Sequence, residues 1–457
     1  MNDFFTGRGP VITTHAPGRL DVMGGISDYS GSLLLQMPIR QRTTVQLQLR
    51  NDSLVEIRSE LTKTKSEYFT MDTSELTGVA GTLTYKEIHA LLQGVPGGDW
   101  AAYVVGCVVV LNKERSVPLC GLNILIRSEV PVGKGVSSSA ALEVAVMNGL
   151  VQLFDIKMGE TELALLAQKA ENLVVGAPCG LMDQLSSHLG YKNKLLPLVC
   201  QPHEVMEPVN IPPGVSFSAI DSGIRHAVSG ASYSDVRAAA FMAYTVIAMA
   251  EGASLAGLQM ARDTGDWSAL PYRGFLANIP PSVFEQKYLA LLPDQTDGIE
   301  FLSKYGISID GVTKIEPERI YQLRACAYHP VRENFRIAGF LELLRNFGKT
   351  KNKHASLLLM GEAMFQSHVG YGAVGLGNEH TDEIVQRVRE AGVANGVYGA
   401  RITGGGSGGT VCILCYGKEG KETAKRIFNE YRLAHKVKSF FFIGSSDGAV
   451  RIDKTTS

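Results

Sequence analysis

Three stretches of this 457-residue chain combine residue types that can do chemistry. In "PVGKGVSSSAALEVA" (131–145), Gly133, Gly135, Ser137, Ser138 and Ser139 stand directly before an apolar run of helical period. First-turn amides of a helix are unpaired and carry partial positive charge, so such a loop can cradle a phosphate. Serine hydroxyls can add donors or a metal ligand, or simply cap the helix. It is not a Walker A loop, because Lys134 is followed by Gly135 rather than Ser or Thr. In "AENLVVGAPCGLMDQLSSHLG" (170–190), Glu171 and Asp183 sit in apolar, glycine-tight surroundings. A carboxylate there is costly unless capped, paired or working. In "APGRLDVMGGISDYSG" (16–31), two carboxylates, one arginine and four glycines share a segment too apolar for an ordinary surface loop.

A fourth stretch, "RITGGGSGGTV" (401–411), matches the glycine loop of protein kinases letter for letter. His-Arg-Asp, Asp-Phe-Gly and Val-Ala-Ile-Lys are all absent, and too little chain follows the loop to build a kinase lobe. A dinucleotide fingerprint fails as well, because a strand follows instead of a helix. What remains is a backbone that approaches a ligand, or another loop, very closely.

These stretches must be held by regular elements. Val11–His15, Val45–Leu49 and Leu122–Ile126 read as strands. Apolar residues at 140, 144, 147, 151 and 154 give a helical period over Ala140–Phe154. Thr161–Val174, Ser232–Ala250 and Ile384–Ala391 read as further helices, the last capped by Thr381 or Asp382. Strict βαβ alternation is missing, so an α+β fold is predicted. The turn-rich "NIPPGVSF" (210–217) divides the chain into domains 1–212 and 213–457, and 254–318 reads as irregular.

Composition narrows the function. With 45% apolar and 19% charged residues the chain is globular. A net charge of −1 disfavours nucleic acid and anionic membranes as partners. The longest apolar run, Tyr103–Leu111, falls short of the roughly 20 residues of a membrane span. Seven scattered cysteines suit a reducing cytoplasm, and Cys412 and Cys415 lie in a strand as core thiols.

Taken together and in order, these segments resemble the GHMP small-molecule kinase superfamily, and "GRLDVMGGISDY" resembles its galactokinase branch. "DWAAYVVG" (99–106), "DSGIRHAVSGASYSDVR" (221–237) and "YHPVRENFR" (328–336) extend the likeness over nearly the whole chain apart from about 255–320. The resemblance implies an N-terminal α+β domain with a left-handed βαβ crossover and a ferredoxin-like C-terminal domain. It implies ATP bound along Pro131, Gly133, Gly135, Ser137, Ser138, Ser139 and Ala140, with the adenine on Trp100. Magnesium would be held by Ser139, or Ser138, and Glu171. Asp183 and Arg19 would be catalytic, and Asp28, Gly25, Ile26, Gly180 and Tyr233 would contact a monosaccharide. A monomer or weak homodimer is expected.

One departure bears on the substrate. Galactokinases carry Glu-His-Thr-Asp-Tyr where this chain has Gly25-Ile26-Ser27-Asp28-Tyr29. The family's glutamate grips the 6-hydroxyl of galactose. A buried carboxylate without its hydroxyl partner is costly, so its replacement implies a sugar lacking that group. L-Arabinose in its pyranose form is galactose without the CH2OH arm, and Ile26 would fill the space of that arm. The segment also resembles the arabinokinase subgroup. The expected reaction is L-arabinose 1-phosphate formation. Galactose and D-fucose, or a non-catalytic sugar and ATP sensor, are the alternatives.

Overall fold

The structure, a computed structural model, describes residues 4–60, 66–79, 81–177, 179–201, 203–224 and 233–452. Residues 225–232 of the 221–237 motif and Pro178 therefore lie outside the described residues.

Two long strands, β1 (Arg8–Met23) and β2 (Leu33–Leu49), run antiparallel and lead into each other through a short 3-10 turn, Gly25–Ser30. Ala16–Met23 is buried throughout, Arg19 and Asp21 included, and these two charged side chains are paired inside the fold. After β3 (Leu54–Glu60) and β4 (Ser66–Asp72), helices α1 (Tyr85–Gln93) and α2 (Gly98–Arg115) cross to β5 (Leu122–Ser128). β5 pairs parallel to β3, the one parallel pair of this sheet among the described residues. Helices α3 (Ser138–Leu153), α4 (Glu160–Ala170) and α5 (Met182–Leu189) follow, then β6 (Lys194–Cys200), β7 (His203–Val205) and β8 (Val209–Asn210). The sheet order is β8–β6–β2–β5–β3–β4, with β1 on β2 and β7 on β6. Val104, Val105 and Val108–Val110 make α2 despite their β-branched side chains, because its faces meet α3, α4 and the sheet in one core. No helix among the described residues is long and apolar enough to cross a membrane.

The second sheet is antiparallel. β9 (Val215–Asp221), β10 (Val397–Ile402), β11 (Thr410–Tyr416) and β12 (Phe441–Ile443) run in the order β10–β11–β9–β12, a ferredoxin-like arrangement. Between β9 and β10 the chain makes α6 (Tyr233–Ala250), α7 (Leu255–Thr264), α8 (Gly298–Tyr305), α9 (Leu323–Asn346), α10 (Lys353–Ala373) and α11 (Glu379–Ala391), and α12 (Gly417–His435) follows β11. One sheet face packs on α11 and α12; the other shares a core with α9, α10 and the N-terminal strands through Leu20, Val22, Leu35 and Met37. Cys412 and Cys415 belong to these two opposite faces, so their thiols serve separate cores.

Two expectations are corrected. The cap of α11 is Asn378, whose side chain accepts from the His380 amide, not Thr381 or Asp382. Segment 254–318 is not irregular: it carries α7 and α8 and buries Leu276, Phe284, Phe301 and Ile309 with α6 and the 25–30 turn.

Candidate functional site

Residues 131–140 form a tight loop at the start of α3. Ser137 adopts the left-handed conformation at the N-cap (φ 56°), yet its side chain makes no cap hydrogen bond. Its hydroxyl is turned to Asp183 Oδ2 instead, leaving first-turn amides open. Ser138 and Ser139 start the helix, and Ala140 turns into the core. Pro131 and Gly133 stand half-buried on the rim. The loop is stapled from three sides. Arg19 Nη1 donates to Gly135 O at 2.8 Å, Thr410 Oγ1 donates to Lys134 O at 2.6 Å, and Lys134 Nζ lies 3.1 Å from Asp221 Oδ2. A Cβ at Gly404 would sit 3.1 Å from Gly135 O, so the glycine loop of 401–411 packs on another loop.

Asp183 enters on the first turn of α5. Its Oδ1 accepts from Arg19 Nε at 2.8 Å and its Oδ2 from Ser137, so the carboxylate plane is fixed. Its side chain is 22% exposed against 4% for Arg19, which makes Asp183 the carboxylate of this group that faces open space. Asp28, on the 3-10 turn, is 3% exposed. Its Oδ1 accepts from the Tyr29 amide at 2.8 Å and the Tyr233 hydroxyl at 2.7 Å. Its Oδ2 lies 2.0 Å from where a Cβ on Gly180 would stand, so only glycine at 180 leaves room for it. Burial raises the Asp28 carboxyl to about 6 with help from the Asp183 charge, against the opposing pull of Tyr233 and Arg237.

The altered signature has a steric cause. A Cβ at Gly25 would begin 1.6 Å from the Tyr371 hydroxyl, and Gly25 also has φ +48°. Tyr371 accepts from the Ile26 amide at 3.0 Å and donates to Gly404 O at 2.7 Å. Any side chain at 25 would collide with this hydroxyl. Gly25 and Ile26 are wholly buried; Ile26, expected to fill open sugar space, packs instead in the apolar cluster with Tyr29 and α6. Nothing in the local sequence around 25 pointed to Tyr371, some 345 residues away.

Glu171 opens a π-helical turn, Glu171–Val175, that continues α4, a geometry frequent at functional sites. It takes hydrogen bonds from Ser139, from Cys179 Sγ at 3.2 Å and from Gln184 Nε2 at 2.6 Å. Gln184 also reaches Glu143 Oε2 at 3.1 Å. Burial pushes both glutamates up, helped at Glu143 by the charge of Glu171 and at Glu171 by that of Asp183. Glu143 and Gln184, absent from the sequence-level site, complete this cluster. Among the described residues no group of three or more His, Cys, Asp or Glu side chains is placed to hold a metal ion alone. That suits magnesium, which binds through one or two protein oxygens with phosphate and water. A crowded acidic pair beside the loop fits such a cation. Trp100 is half-buried on α2, its ring edge against Phe69 at 6.4 Å.

Asp21, also in the signature, is scaffold. It is wholly buried, pairs with Arg401 at 2.8 Å, and accepts from the Gly25 amide and Gln36.

Known proteins resemble this chain in sequence and fold. The GHMP kinases N terminal domain matches residues 102–191, and the GHMP kinases C terminal domain matches 341–436. An L-arabinokinase of Arabidopsis thaliana is 37% identical over 96% of the chain, which spans about half (46%) of that relative's length. A galactokinase of Haemophilus influenzae is 26% identical over 97% of the chain and 95% of its own length. The crystal structure of Lactococcus lactis galactokinase complexed with galactose superposes with a TM-score of 0.72 at 22% identity, covering 98% of this chain and 96% of that one.

Proposed function

The chain belongs to the GHMP kinases, and from that membership we propose that it phosphorylates the anomeric hydroxyl of L-arabinose with ATP. In this reading residues 1–212 carry the sugar site and phosphate loop, and 213–457 close over them. The observation that carries the substrate is the Tyr371 hydroxyl standing where a side chain at 25 would begin. No carboxylate can grow from that position to meet a 6-hydroxyl.

The chemistry follows from what the side chains can reach. The transferred phosphoryl group passes through a loose transition state, so positioning and charge stabilisation dominate. Asp28, with Tyr233 fixing one oxygen, accepts hydroxyls of the ring, and Gly180 keeps the space beside its other oxygen open. Asp183, held by Arg19 and Ser137, orients the anomeric hydroxyl and takes its proton as the new O–P bond forms and the bond to ADP breaks. Loop amides of 133–140 receive the phosphates, and Trp100 offers a ring to the adenine. Ser139 and Glu171 would hold magnesium, which would supply charge neutralisation to the nucleotide's phosphates.

The test is an ATP-coupled assay on the two sugars side by side. L-Arabinose is expected to give the higher kcat/KM. Equal or better kcat/KM on D-galactose overturns the assignment in favour of a galactokinase, and no phosphoryl transfer to any sugar would mark a sensor.

A further inference from the structure

The segment of about 255–320, where the galactokinase likeness lapses and which is called the insert below, reaches the proposed sugar site through one buried ion pair. Tyr233 and Arg237 stand one turn apart on α6, and residues four apart on a helix share a face. Tyr233 reaches Asp28. Arg237 instead turns to the insert: its Nε and Nη2 donate to Asp310 Oδ2 at 3.0 Å and Oδ1 at 2.8 Å. The two side chains are 3% and 2% exposed. Asp310 is preset for this, accepting from the Val312 and Thr313 amides and the Thr313 hydroxyl.

We propose that Asp310 is a positioning residue for the sugar: by engaging Arg237 it keeps that cation off Asp28, whose carboxylate is then free for sugar hydroxyls. A buried guanidinium without a partner is strongly destabilised and takes any carboxylate within reach. Asp28 is a carboxylate whose charge reaches Arg237, and it sits beyond Tyr233 on the same helix face. With Asp310 neutralised, Arg237 pairs with Asp28 and competes with the sugar. Asp310 thereby supplies the counter-charge that Asp28 would otherwise have to give.

The inference rests on Asp28 as the sugar acceptor and holds for whichever sugar is used. Steady-state kinetics on Asp310→Asn should show a sugar KM raised about ten-fold or more, the cost of losing a charge-assisted hydrogen bond, with kcat and ATP KM within about three-fold. The double variant Asp310→Asn/Arg237→Gln, in which neither charge remains, should recover a sugar KM within about three-fold of wild type, by the same reasoning. An unchanged sugar KM in Asp310→Asn, an equal rise in ATP KM, or a double variant no better than the single one overturns the proposal. Should Asp310→Asn not accumulate as folded protein, the double variant decides against wild type alone, a recovered KM supporting the proposal and a ten-fold rise overturning it. Asp28→Asn separates the layers. A raised sugar KM there supports Asp28 as acceptor. An unchanged one overturns that reading and this proposal together.

Discussion

At Asp28, burial and hydrogen bonding pull in opposite directions, and burial prevails. Its carboxyl, raised to about 6, is protonated below that pH and ionised above it. In the proposed reading the ionised form binds sugar hydroxyls, so kcat/KM for the sugar should fall as pH drops through about 6. The stability term has the other sign: a carboxyl raised by folding costs stability above its ordinary range, and that cost is relieved as pH falls through 6. Profiles between about pH 5 and 8 on wild type and Tyr233→Phe check this. Tyr233 lowers the Asp28 value, so its loss should move the inflection upward; an unmoved inflection separates the two residues. The grouping of the candidate site residues was readable because the family resemblance carries it: Arg19 meets Asp183, and Asp28 meets Tyr233 and the Gly180 position. Tyr371 was not readable, since steric exclusion between positions 25 and 371 leaves no local pattern in either segment.

Among the elements, the start of α3 shows a helix giving up its cap. Serines before a helix usually satisfy its amides, but Ser137 spends its hydroxyl on Asp183. Ser137→Ala should therefore cost little thermal stability while lowering turnover, since it loosens Asp183, the proposed proton acceptor. A cap would show the reverse, with a loss of about 1 kcal/mol and normal turnover. Asp183→Asn sets the scale, at least about 100-fold down in kcat. Helices of strong period, such as α3 and α11, were visible within a few residues. The change of α4 into a π-helical turn at Glu171 was not, because periodicity does not distinguish one extra residue per turn from a continuing α-helix. The insert was misread for a related reason. Its short helices are separated by Pro and Gly turns, and it becomes ordered through a core it shares with α6, which no single segment displays.

For the whole molecule, the two sheets are joined by more than an apolar interface. Asp21 on β1 and Arg401 on β10 form an ion pair with no exposed surface, and the Asp21 amide donates to Thr403 Oγ1 at 3.0 Å. Burial alone would raise Asp21, but Arg401 and Arg19 outweigh it and hold its carboxyl below the ordinary range. Arg401→Met should lower the free energy of unfolding by about 3–5 kcal/mol, the cost of leaving one buried charge alone. Urea unfolding measures it, and a change under about 1 kcal/mol would show that the pair is dispensable. The fold class was legible because the mixture of strand and helix periods excludes a doubly wound sheet. Which surfaces meet was not, because Arg401 and Asp21 are separated by 380 residues. The stapling of 131–140 by Thr410 and Asp221 has a kinetic consequence. Any parting of the two halves along that line has to break both contacts, so in the proposed reading nucleotide exchange is tied to their rupture, and Thr410→Val should speed ADP release.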